Sequence, residues 1–198
     1  MRRAAILIIL AVFFVGYASS VIRMEHLRTN GRDALFRLAP VDPRALLMGD
    51  YMTLEYAVNE AIWDALHHKY APDSYSRRKI AAILPSEGMA VVRLASQQEN
   101  ALNGRVVEAT FARMDDGTPL ADDELLLAFK VRGDSVISAS TAYYFQEGHE
   151  KAYAKALFGR LKMDKNGKTL LVGLCDKEGL DISVEPKGEG IDTRFSRF

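Results

Sequence analysis

The sequence predicts an α+β fold: an antiparallel β-rich exported domain with two short helices, preceded by one N-terminal transmembrane helix. Three observations carry that prediction. Residues 4–22 hold no charge. From residue 33 onward, short runs of alternating apolar and polar positions recur between turn signals, which is the pattern of half-buried strands. Two stretches, 59–71 and 147–161, switch to apolar spacings of three and four, the helical period.

The chain has 198 residues, 48% of them hydrophobic, with 26 basic and 26 acidic side chains. That suits one domain with a real core plus an accessory segment. The accessory segment is the N-terminus, where "MRR" precedes the apolar run Ala4 to Ile22. As a helix this run is about 28 Å long, close to the ~30 Å hydrocarbon core of a bilayer. A cleaved leader is the competing reading, because Ala18-Ser19-Ser20 offers a small-x-small site. The run exceeds the usual leader core of about 7–15 residues, which favours an uncleaved anchor over residues 1–22. Arg2 and Arg3 on a short N-tail favour an N-in orientation. The expected location is therefore the inner (cytoplasmic) membrane, single-pass, with the domain periplasmic or extracellular. Without residues 1–22 the chain keeps 24 basic and 26 acidic residues, which argues against nucleic acid as a partner. Cys175 is the only cysteine, so it forms no internal disulfide and reads as a buried small hydrophobe.

Along the exported domain, residues 23–184, a polar helical stalk over 23–31 leads into the strand "DALFRL". "APVDPRALLMGD" then forces a shaped turn. "YMTLEYAV" resumes with period two, placing Met52, Leu54, Tyr56 and Val58 on one face and Tyr51, Thr53 and Glu55 on the other. "NEAIWDALHHKYA" reads as a helix capped by Asn59 and stopped by Pro72. "KIAAIL", "MAVVRLA", "RVVEATFARM", "ELLLAFKV" and "SVISASTAYYF" read as strands. "EGHEKAYAKALFGRL" reads as the second helix, and "LKMDKNGKTLLVGL" as a hairpin with a type I′ turn at Asn166-Gly167. Residues 185–198, rich in breakers, read as a flexible C-terminal tail.

With these elements in place, "PVDPRALLMGDYMTLEY" resembles the signature of the bacterial GDYXXLXY family, a functionally uncharacterised group. Gly49, Asp50, Tyr51, Leu54 and Tyr56 satisfy the fixed positions, and Pro40, Asp42, Pro43 and Arg44 match the upstream part. "YYFQEGHEKAYAKALFGRLKMDKNGKTLLVGL", with Glu147 and Gly148 at its turn, is similar to the family's second block. The helix over 59–71 departs from the family pattern, which continues there as strand and loop. The resemblance implies a single-span membrane protein with an exported domain, associated with multi-span membrane proteins.

Two uses of the motif follow. In the structural one, Gly49 takes a positive φ, Asp50 bonds amides of its own turn, and the tyrosines bury rings while their hydroxyls find partners. In the functional one, Asp50, Arg44 and Glu55 converge with Glu147 as paired carboxylates beside a cation. The structural use is favoured, since an Asp after Gly at a strand entry is usually turn chemistry. His67 and His68, adjacent on a helix, point about 100° apart and suit one metal poorly; His149 and Glu147 would complete a site only if the two helices meet, and solvated helix faces are the commoner explanation. Ser76 to Lys79 matches a Ser-x-x-Lys spacing by chance, and the "RGD" at 132–134 reads as a turn. No catalytic residue, cofactor or metal site is read. The expected function is a non-enzymatic interaction or accessory module for an integral multi-span membrane protein, and an exposed patch near Tyr51, Tyr143 and Tyr144 would support it. The alternative is an exported small-ligand binder or hydrolase-type enzyme with a carboxylate pocket around Asp50 and Glu147.

Overall fold

The computed structural model describes residues 2–39, 51–73, 76–96 and 107–183. The expected turn over 40–50 and tail over 185–198 lie outside them. Helix α1, Arg2–Asn30, runs unbroken through the apolar segment and the expected stalk. Its apolar side chains, from Ile6 and Leu7 to Phe13, Val15 and Ile22, are exposed around the whole helix. A helix apolar all round has no polar face to give to water. Among the described residues it is the one helix long and apolar enough to cross a membrane. It meets the domain at Leu27, which is buried. Gly31 ends it at a close approach, where a Cβ would stand 3.0 Å from the Cβ of Lys162.

The domain is built on a curled seven-stranded sheet in the order β6, β5, β3, β4, β1, β8, β9. These are β1 Arg32–Arg37, β3 Glu87–Ser96, β4 Val107–Met114, β5 Glu124–Arg132, β6 Ser135–Ile137, β8 Phe158–Met163 and β9 Thr169–Cys175. All neighbours pair antiparallel except β1 and β4, which are parallel with Leu35 opposite Glu108. A separate ribbon joins β2, Tyr51–Thr53, to β7, Ala142–Tyr144. Helix α2, Ala57–Tyr70, lies against the sheet and buries Val58, Ile62, Trp63 and Leu66 at helical spacing. Each large side chain removed from water there contributes about 2 kcal/mol. Phe36, Val92, Leu127, Phe129 and Leu161, inward alternate residues of their strands, belong to the same core.

The sheet curls until its ends meet. The Ala128 amide of β5 donates to the Gly167 carbonyl at the tip of the β8–β9 hairpin, at 2.9 Å. The Thr169 hydroxyl donates to the Ser138 carbonyl just beyond β6, also at 2.9 Å. Both sheet edges are thereby brought together.

The α+β architecture agrees with the sequence reading, and several elements differ in detail. "KIAAIL" contributes to a helix, α3 (Arg77–Ala81), instead of a strand. Ile80 and Leu84, four apart, are buried while Ile83 between them is exposed, which is helical spacing in a run too short for periodicity to decide. The domain therefore carries three described helices rather than two. Helix α2 starts two residues early, at Ala57, with Tyr56 in the capping position and no side-chain cap. Asn59 serves elsewhere, accepting the Ser138 hydroxyl at 2.5 Å. The strand from residue 51 accordingly stops at Thr53. "SVISASTAYYF" breaks into β6 and β7, because Ser138 is engaged by Asn59 and Thr169 where the chain leaves the sheet. The second helix shortens to α4, Glu150–Tyr153, since the Leu157 amide is captured by the Cys175 carbonyl and the chain enters β8. The hairpin turn is not type I′: only glycines have positive φ among the described residues, so Asn166 does not. The Gly167 amide bonds the Asp164 carbonyl at 3.2 Å and Gly167 has φ +79°, the pattern of a type I turn closed by a left-handed glycine.

Gly117 and Gly167 share φ +79°, but an added Cβ meets nothing at Gly117 and stands 2.8 Å from the Ala128 nitrogen at Gly167. Gly117→Ala is expected to lower stability by about 1 kcal/mol, and Gly167→Ala by about 3 kcal/mol because the sheet closure must also shift. Denaturant unfolding of the full-length protein in detergent checks this, and equal losses would contradict the closure.

Candidate functional site

The described part of the motif spans the point where the ribbon meets the sheet. Met52, Leu54 and Tyr56 are each 2% exposed, so the period-two reading holds from 52 through 56. The Leu54 amide donates to the Thr141 carbonyl at 2.9 Å, and the Ala39 amide to the Glu55 carbonyl at 2.8 Å. Tyr56 stands edge-on to Phe36, ring centres 6.2 Å apart. Its hydroxyl donates to the Ser140 carbonyl at 3.0 Å. Burial holds its phenol well above the ordinary range, so it stays a neutral donor. Gly159 on β8 leaves room for the ring, as a Cβ there would sit 3.0 Å from Tyr56 Cε1.

On the other face of the ribbon, Tyr51 pairs with Tyr144 in register, ring centres 5.7 Å apart. Tyr144 is 76% exposed. Tyr143 faces the opposite way and packs on Tyr153 of α4, with Phe145 stacked on that same ring. Burial, then the Tyr153 hydroxyl, pushes the Tyr143 phenol up to about 12. Two of the three tyrosines grouped by sequence therefore share an outward face, and the third is structural.

Beside the motif strand lies a cleft of about 360 Å³, lined by Arg37, Leu38, Ala39, the stretch Met52 to Glu55, Ala154, Ala156 and Leu157. Arg37 is held at its edge, paired to Glu108 at 3.2 Å and lying over the Phe158 ring. Glu147 is exposed in the turn before α4, next to Gly148 at φ +86°. The Gly148 amide donates to the Glu150 carboxylate at 3.2 Å. Pro40, Asp42, Pro43, Arg44, Gly49 and Asp50 lie outside the described residues.

The remaining candidates resolve into structural roles or surface positions. His67 and His68 stack on each other, 5.9 Å between ring centres. Among the described residues no group of three or more His, Cys, Asp or Glu is placed to hold a metal. Cys175 is buried, and burial together with the neighbouring Asp181 pushes its thiol up to about 12, which makes it a poor nucleophile. The Gly133 turn of "RGD" joins β5 to β6, with φ +60°.

One arrangement was not legible in the sequence. Glu124, buried at the start of β5, accepts from Arg93 at 3.0 Å, Arg113 at 3.2 Å and the Ala121 amide at 3.3 Å. The amide first, then the two guanidiniums, hold its carboxyl below the ordinary 4.5. Arg93 opposes Glu124 only once the β3–β5 register is known, so no local pattern announces it.

A family model described as GDYXXLXY protein matches residues 13–174, from within α1 to the end of β9. No curated protein and no solved structure matches the chain.

Tyr56→Phe removes one hydrogen bond and is expected to cost about 1 kcal/mol, whereas Tyr56→Ala also empties the space over Gly159 and Phe36 and should cost about 3–5 kcal/mol. Equal stability of wild type and Tyr56→Ala in denaturant unfolding would contradict this packing. A carboxyl with a depressed folded pKa contributes stability that is present above its unfolded value and is lost as pH falls through the folded value. The acid limb of the Tm profile should therefore begin below about pH 4.5 and flatten in Glu124→Gln. An unchanged acid limb in that variant would show that the two arginines do not brace the sheet through Glu124.

Proposed function

We propose a function from one premise: the chain belongs to the GDYXXLXY family, and it carries an N-terminal helix long and apolar enough to span a membrane. On our reading it is a single-pass protein of the cytoplasmic membrane whose domain faces the periplasm or exterior. There it serves as a non-enzymatic accessory module that docks on an integral multi-span membrane protein. The observation that carries this reading is the Tyr51–Tyr144 pair. Ring and hydroxyl together let a tyrosine serve both an apolar and a polar contact, and exposed aromatics on rigid backbone are favoured interface anchors. The ribbon that presents them is tied to the sheet by Leu54 and Tyr56, so the pair is pre-positioned.

A second reading rests on the cleft beside Met52 to Glu55. In it the domain binds a small ligand or hydrolyses one, with Asp50 and Glu147 as the expected carboxylates and Arg44 as the expected cation, none of which is among the described residues lining that cleft. The two readings separate on Asp50→Asn, which abolishes ligand binding without loss of stability in the second and leaves docking intact in the first.

The test is a photoreactive residue placed at Tyr144 in living cells, with Asp134 on the β5–β6 turn as the control position. The expected outcome is a crosslink to a multi-span membrane protein from position 144 alone, with an intact N-terminus on the crosslinked chain. Crosslinking at both positions, or at neither, would contradict the docking face.

A further inference from the structure

A cleft larger than the one beside the motif strand lies at the seam where the curled sheet closes. It measures about 490 Å³ and is walled by β3, β5, the segment after β6, and Thr169. Its apolar lining on the side of Glu87 and Lys130 includes Met89, Ala128 and Ile137. Its hydroxyls are already spent. Ser138 donates to Asn59, Thr169 to the Ser138 carbonyl, and Ser140 to the Ala142 carbonyl. A ligand rich in hydrogen-bonding groups, such as a sugar or a nucleotide, would find few side-chain partners among them.

Free charge is found at the rim. Glu87 and Lys130 stand directly opposite each other on β3 and β5, both exposed. Neither side chain forms an ion pair or hydrogen bond among the described residues. A carboxylate and an ammonium held a strand spacing apart, above an apolar floor, match a head group that carries both charges on an apolar body.

The cleft also lies near the end of the anchor. Thr169 pairs with Met163, and Met163 pairs with Arg32, two residues beyond the last residue of α1. Two strand spacings make about 10 Å from the cleft wall to the point where the chain leaves α1.

We propose that this cleft takes a zwitterionic phospholipid from the bilayer that α1 occupies. The head's primary ammonium lies against Glu87, its phosphate against Lys130, and its glycerol end over Met89 and Ile137. The inference rests on α1 remaining in the membrane, but it is independent of any protein partner at Tyr144.

The experiment is native mass spectrometry of the full-length protein in detergent, with phosphatidylethanolamine, phosphatidylglycerol or free phosphoethanolamine added. One phosphatidylethanolamine should be retained per chain, roughly tenfold more tightly than phosphatidylglycerol. Lys130→Glu and Glu87→Lys should each lose about that factor, and the double swap should regain it. Ser140→Trp, which adds bulk to the cleft wall, should weaken retention, with Tm measured beside it to separate loss of the site from loss of the fold. Equal retention of the two lipids, or indifference to the single swaps and to Ser140→Trp, would overturn the site. Binding of free phosphoethanolamine as tightly as the lipid would overturn the bilayer as its source.

Discussion

The burial of Tyr56 is the contact on which the rest of the domain depends. Its ring fixes Phe36 of β1 and lies over Gly159 of β8, while its hydroxyl holds the Ser140 carbonyl between β6 and β7. Three segments far apart in sequence are thereby tied at one side chain. A shorter residue would leave a cavity, and an apolar one of the same shape would leave the carbonyl without this donor. The final tyrosine of the motif and the glycine of β8 are thus two halves of one packing solution.

That anchorage lets the same short strand do two things. Met52, Leu54 and Tyr56 point inward and tie the ribbon to the core, while Tyr51 on the alternate face stands beside exposed Tyr144. Because strand residues alternate sides, burying one set fixes the face on which the other stands.

The alternation of residues 52 to 56 and the helical spacing of Ile62 and Leu66 were legible because each is a local periodicity imposed by one buried face, and α1 because its apolar run is unbroken along the chain. The closure of the sheet was not. It depends on Gly167 meeting Ala128 across 39 positions and on Thr169 meeting Ser138, contacts that no window of neighbouring residues encodes. The same reason hid Glu124, whose partners come from two other strands. "KIAAIL" reads either way because the five apolar residues after Lys79 fit a buried strand or a helix, and only Ile80 and Leu84 packing on one side decides it. Asn59 misled differently: a residue suited to capping was drawn to Ser138 by tertiary structure.

The central claim is that the motif strand and the sheet form one cooperative unit. Amide hydrogen exchange on the full-length protein tests it most directly, read at Ala39 and Leu54 against Val92 and Leu127 in the core. Under this account the Ala39 and Leu54 amides, bonded to Glu55 and Thr141, exchange with the same opening free energy as the core strands. Exchange of those two amides by local opening, several kcal/mol below the core, would show the ribbon to be an appendage and would contradict the account.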